Sequence, residues 1–87
     1  MKFIAHRINT IKKLNKISRN YGVEIDIWSF GKKLILSHDA HKKGEELKKF
    51  LKNYKHSLLV ANIKEAGIED KVINEIRKAK IKKYFLL

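Results

Sequence analysis

Two histidines, three carboxylates, an arginine, an asparagine and a lysine stand where short apolar runs give way to polar residues. His6 ends the run KFIAH and Arg7 follows it; Glu24 and Asp26 alternate within VEIDIW; His38 and Asp39 follow KLILS; Asn62 and Lys64 close SLLVANIK. Such residues suit proton transfer beside an anion. Histidine exchanges a proton near neutral pH and serves as acid or base. Carboxylates two residues apart on a strand share a face and can offer oxygen ligands to a hard divalent ion. Arginine and lysine counter the charge that builds on a phosphoryl group.

Each residue also has a plainer reading. His6 at a strand end is an ordinary hydrogen-bonding surface position. Glu24 and Asp26 fit the solvent face of a half-exposed strand. His38-Asp39 can open a helix, with Asp39 accepting its first amide hydrogens. Lys64 is one of 18 lysines, and Trp28 fits a packing role at the end of a barrel. The functional reading rests on two histidines, two carboxylates and an arginine recurring at neighbouring strand ends.

The elements that must hold these residues follow from periodicity. Lys2 to His6 reads as a short strand. Ile8, Ile11, Leu14 and Ile17 recur at helical spacing and predict a helix over about residues 8 to 20, with Gly22 as its stop. Residues 23 to 28 alternate strictly, SFGK is a turn signal, and residues 33 to 37 return, which together predict a hairpin. Leu47, Phe50, Leu51 and Tyr54 mark a second helix. Residues 57 to 62 read as a strand buried on both faces. Ile68, Val72, Ile73, Ile76 and Ala79 mark a third helix, and residues 83 to 87 a final strand.

This alternation predicts an α/β fold with a mainly parallel sheet: a partial TIM barrel of about four parallel strands, a β-hairpin return strand and three helices. The 87 residues make one domain, the N-terminal half of a (β/α)₈ barrel that ordinarily needs about 250 residues, and so an incomplete one. A half barrel leaves an apolar face open, and a second copy of the chain is the expected cover.

Hairpin register decides where His38 points, because directly opposed residues share a face. A two-residue loop at Phe30-Gly31 pairs Glu24 with Ser37 and turns His38 away. A three-residue loop, Phe30 to Lys32, sets Glu24 opposite His38. A functional His38 therefore calls for the odd loop.

Composition narrows the partners. The chain carries a formal charge of +12, but from 18 Lys and only 3 Arg, beside 12 Ile and 6 Asn. Phosphate and base recognition favour the arginine fork over the solvated lysine point charge. A Lys, Ile and Asn bias is equally what an AT-rich genome imposes, so a small nucleic-acid- or anion-binding module ranks second, and a non-catalytic remnant that oligomerises third. There is no cysteine and no run long enough for a membrane span, which fits a cytoplasmic protein.

IAHR at a first strand, EIDI at a second, LILSHD after it and LLVANIK at the next resemble, in order and over the whole chain, the N-terminal half of glycerophosphodiester phosphodiesterases. These belong to the phospholipase-C-like phosphodiesterase barrels. The resemblance implies metal-dependent hydrolysis of a glycerophosphodiester-like substrate. It implies His6 and His38 as the acid–base pair, Arg7 and Lys64 on the phosphate, and Glu24 and Asp26, with Asn62 in addition, on a divalent cation, Ca²⁺ or Mg²⁺. Three departures stand out: Ile8 replaces a glycine, residues 8 to 23 hold no carboxylate, and Asn62-Ile63-Lys64 replaces a Glu-x-Lys.

Overall fold

The structure, a computed structural model, describes residues 3–39 and 43–87. The elements run β1 (Ile4–Ala5), α1 (Ile11–Leu14), β2 (Gly22–Phe30), β3 (Lys33–Leu36), β4 (Glu45–Glu46), α2 (Leu47–Lys52), β5 (Leu59–Ile63), α3 (Glu69–Lys78) and β6 (Tyr84–Leu86). They form one open, mixed six-stranded sheet in the order β4-β3-β2-β5-β6, with β1 paired to β2 off that path.

This corrects the expected half TIM barrel. The pairs β1-β2, β2-β5 and β5-β6 are parallel, but β3 and β4 pair antiparallel. Since β5 occupies one edge of β2, β1 and β3 must share the other. β1 takes its start, at Gly22 and Val23, and β3 its end, from Ile27 to Phe30. The hairpin therefore extends the sheet sideways where a barrel needs it to curl. The two-residue strand β4, which periodicity did not reveal, ends that side.

The predicted helix over residues 8 to 20 shrinks to the single turn of α1. Thr10 caps it, its hydroxyl accepting the Lys13 amide, and Glu45 from β4 accepts the Ile11 amide. Asn15, still in helical backbone, caps the end of this turn, and the amides of Lys16 and Ile17 bond back only three residues, to Lys13 O and Leu14 O, before the ladder stops. With Asn15, Ser18 and Asn20 in the stretch, side chains compete with the helical ladder, and Ser18 takes the Asn20 amide. Ile8 and Leu14 nevertheless reach the core, so the apolar spacing marked burial rather than a long helix. Gly22, expected as a helix stop, is the first residue of β2.

The core lies between one sheet face and the helices. Val23, Ile25 and Ile27 of β2 and Leu59 and Ala61 of β5 point into it, and they meet Leu47, Phe50 and Leu51 of α2 and Val72 and Ile76 of α3. The parallel register aligns Ile25 with Ala61 and Asp26 with Asn62, so alternation sends Glu24, Asp26, Val60 and Asn62 to the opposite face. That face ends at β6 with Phe85, which is 62% exposed. Among the described residues no helix is long and apolar enough to cross a membrane.

Candidate functional site

The sheet's open face at the C-terminal ends of its parallel strands collects most of the expected side chains, but in separate small groups. β1 delivers His6 alongside β2, where its Nδ1 lies 3.2 Å from Glu24 Oε1. A carboxylate accepts only, so Nδ1 carries the proton and Nε2 keeps a free lone pair. The His6 side chain is 72% exposed while Glu24 is largely covered, which leaves Nε2 open to a substrate.

Asp26 sits one pleat further along, 2% exposed. Two groups compensate this buried charge. Asn9 donates from Nδ2 to Asp26 Oδ2 at 3.1 Å, while Asn9 Oδ1 accepts the Asp26 amide at 2.9 Å. Lys64 Nζ lies 3.5 Å from Asp26 Oδ1. The clasp has a structural cause. β1 leaves the edge of β2 after Ala5, and β3 reaches it only at Leu36. In the gap the Ile8 amide donates to Glu24 O, the Ser37 amide donates to Asp26 O, and the Asn9 carboxamide stands in for strand backbone at the Asp26 amide. Sequence reasoning passed over Asn9. Its signal was an amide residue in a short βα connection, where side-chain hydrogen bonds to backbone are common.

Arg7 and His38 lie off that face. They line a groove of about 430 Å³ with Thr10, Lys13, Ser37 and Lys43. Arg7 adopts φ 55°, left-handed backbone that costs a non-glycine residue about 1 kcal/mol or more and that concentrates at functional sites. His38 Nδ1 lies 3.3 Å from Asp39 Oδ1, and both side chains are about half exposed.

Neither hairpin register considered from sequence is the observed one. The loop is Gly31-Lys32, with Phe30 opposite Lys33 and Ile27 opposite Leu36. Gly31 has φ 63° and Lys32 a negative φ, the positive-then-negative order of a type II′ loop. The loop is even, so the odd loop on which a Glu24–His38 pairing depended is absent. Ser37, not His38, meets Asp26. Ser37 Oγ accepts the Asp39 amide in a local turn; the helix start expected after Asp39 falls on residues 40–42, outside the described residues, and the next described helix starts at Leu47. Trp28 is half-buried, its indole Nε1 without a partner among the described residues. Glu65, also unnoticed in the sequence, accepts from the amide and hydroxyl of Ser29 and fastens the β5–α3 connection to β2.

The expected divalent ion fits this arrangement poorly. Asp26 already spends its oxygens on Asn9 and Lys64, and Glu24 has His6 on Oε1. Asn62, opposite Asp26 on β5, adds only a neutral amide. Among the described residues no three His, Cys, Asp or Glu side chains converge on one metal-sized space. Lys64 is engaged with Asp26 on the face, Arg7 lies in the separate groove, and His6 presents its exposed ring beside Glu24. No protein-family model, curated protein or solved structure matches the chain.

Proposed function

We propose that the chain binds a small phosphodiester at the C-terminal ends of its parallel strands and hydrolyses it with the His6–Glu24 pair as base. The 3.2 Å contact between His6 Nδ1 and Glu24 Oε1 carries this reading, because it fixes the tautomer that leaves Nε2 free to take a proton. In the proposed step a water gives its proton to His6 Nε2 as its oxygen bonds to phosphorus. Glu24 offsets the imidazolium charge. The phosphorus–alkoxide bond breaks, and the proton taken up by His6 Nε2 passes to the alkoxide, which leaves the imidazole neutral again; His38, the expected acid, lies off this face. Arg7 and Lys64 offset the charge on the non-bridging oxygens. The motifs that resemble glycerophosphodiester phosphodiesterases support a glycerol-bearing diester, and the lack of cysteine suits a reducing cytoplasm.

Turnover of bis(p-nitrophenyl) phosphate tests the reading. The protein should release nitrophenolate, and His6→Ala should abolish the release. No turnover, or turnover that survives His6→Ala, overturns it. Parallel assays with a chelator and with added Ca²⁺ or Mg²⁺ ask whether Glu24 and Asp26 give up their present partners to a cation. The alternative is anion binding without turnover, favoured by the groove of Arg7, Lys13 and Lys43. It predicts phosphate binding by a protein with no hydrolytic rate.

A further inference from the structure

The opposite end of the sheet holds a second polar cavity. The turn from α2 into β5 and the turn from α3 into β6 meet at the N-terminal ends of these strands around a space of about 320 Å³. Lys55, Lys80, Lys82 and Lys83 line it, with Tyr54 and His56 in its wall, and no carboxylate is among the lining residues. The four lysines are exposed, and the ion pairs among the described residues involve none of them.

Two buried polar atoms of this wall have no partner among the described residues: the Tyr54 hydroxyl and His56 Nδ1. Tyr54 is 8% exposed, and burial raises its pKa, so the phenol stays a neutral donor. His56 Nε2 lies 2.8 Å from the Ile17 carbonyl and donates to it, which holds the ring in the cavity wall. Buried polar groups nearly always find partners, and of the two the Tyr54 hydroxyl is the donor whose missing acceptor an anion can supply.

Lys80 adds an independent sign. It sits at the C-terminal cap of α3 with φ 61°. The Lys80 amide donates to Arg77 O and the Ile81 amide to Ile76 O, the bond pattern of a Schellman motif. Glycine is the favoured residue at that position. Here a lysine holds the left-handed backbone, and the same residue lines the cavity.

We propose that this cavity is an oxyanion site that takes a phosphate or pyrophosphate group, free or carried as a monoester, through the four lysines and the Tyr54 hydroxyl. It shares no residue with the His6 site and does not depend on that site's activity. Titration of the intact protein with inorganic phosphate, pyrophosphate and phenyl phosphate, followed by amide NMR at low salt, tests it. Shifts should concentrate on residues 54 to 57 and 79 to 83. Stronger shifts with the ester than with inorganic phosphate mark a carried phosphate, and the reverse marks a free one. The double variant Lys80→Gly/Lys82→Gln should weaken binding at least tenfold without lowering the melting temperature, because glycine relieves the cap. Lys12→Gln/Lys16→Gln removes the same charge elsewhere and should leave affinity within about twofold. Equal weakening in both pairs, shifts spread over every lysine, or binding of an oligonucleotide without any binding of these three probes overturns the site.

Discussion

At the C-terminal ends of the parallel strands the charges are matched within the chain: Glu24 by His6, Asp26 by Lys64 and Asn9. At the N-terminal ends four exposed lysines line one cavity, and two residues of its wall, Tyr54 and His56, each bury a polar atom without a partner among the described residues. Both ends place a non-glycine residue in left-handed backbone, Arg7 at one and Lys80 at the other. The matched end resembles a preorganised reaction site, in which protein dipoles are aimed before substrate arrives. The unmatched end resembles a binding site, where a ligand supplies the missing charge and hydrogen bonds. The same backbone stands in different settings: Arg7 follows the histidine of the proposed proton-transfer pair, while Lys80 adds charge to a cluster that is already cationic.

The largest expected effect lies at the matched end. His6→Ala should reduce diester turnover by about 10²–10⁴-fold, the ordinary worth of a positioned general base. The His6 side chain is 72% exposed, so the urea midpoint should move by less than about 0.5 kcal/mol equivalent. A rate loss accompanied by unfolding would mean that His6 is part of the fold rather than the reaction.

Next comes the buried carboxylate. Asp26→Ala leaves Lys64 without its counter-charge and Asn9 Nδ2 without its acceptor. We expect a loss of about 2–4 kcal/mol in urea unfolding, below the full cost of breaking a buried pair because Lys64 remains partly solvated. A loss under about 1 kcal/mol would mean that the clasp does little to hold the junction between β1 and β3.

The two strained positions give smaller and opposite effects on stability and function. Lys80→Gly should stabilise the protein by about 1 kcal/mol by relieving the left-handed backbone, while phosphate affinity falls. Arg7→Gly should stabilise comparably and cost turnover instead. If either variant changes both activities, the two ends are not independent.

How far the sequence disclosed these two ends depended on range. Alternation in VEIDIW set Glu24 and Asp26 on one face, and the parallel register then brought Asn62 opposite Asp26. The third helix was legible because Val72 and Ile76 repeat along a long amphipathic stretch. What failed were features decided by chain crossing rather than by local pattern. Apolar spacing from Ile8 to Ile17 marked burial, and periodicity cannot separate buried turns from a helix when their residues contact a core. The barrel expectation failed although the hairpin itself was expected, because β3 takes the edge of β2 that β1 leaves and β4 carries the sheet on beyond it, which no local pattern disclosed. Loop length had two candidate values around Gly31, and the observed loop used a third frame, shifting His38 off the face. Tyr54 read only as an apolar position of the second helix and His56 was not singled out, since an orphaned hydroxyl is a property of packing that no spacing reveals.

Tyr54→Phe is the smallest test and separates the two ends most sharply. Removing a hydroxyl that has a partner costs stability, whereas removing one that is buried without a partner relieves a desolvation penalty, here by about 1 kcal/mol. The unliganded variant should therefore be the more stable protein and the weaker phosphate binder. Alkaline pH adds a second readout. Burial raises the Tyr54 pKa above the ordinary 10.0, so the unfolded chain loses this proton before the native one. The native state then holds more protons than the unfolded state, and stability falls as pH rises past 10.0, with a limiting slope of about 1.4 kcal/mol per pH unit. Lysines titrate in the same range, so the informative quantity is the difference between wild type and Tyr54→Phe. That difference should be flat below pH 10.0 and widen above it in favour of the variant. A flat difference through pH 11, about one unit higher, would show that the phenol ionises freely in the folded protein and that the cavity wall is open to water.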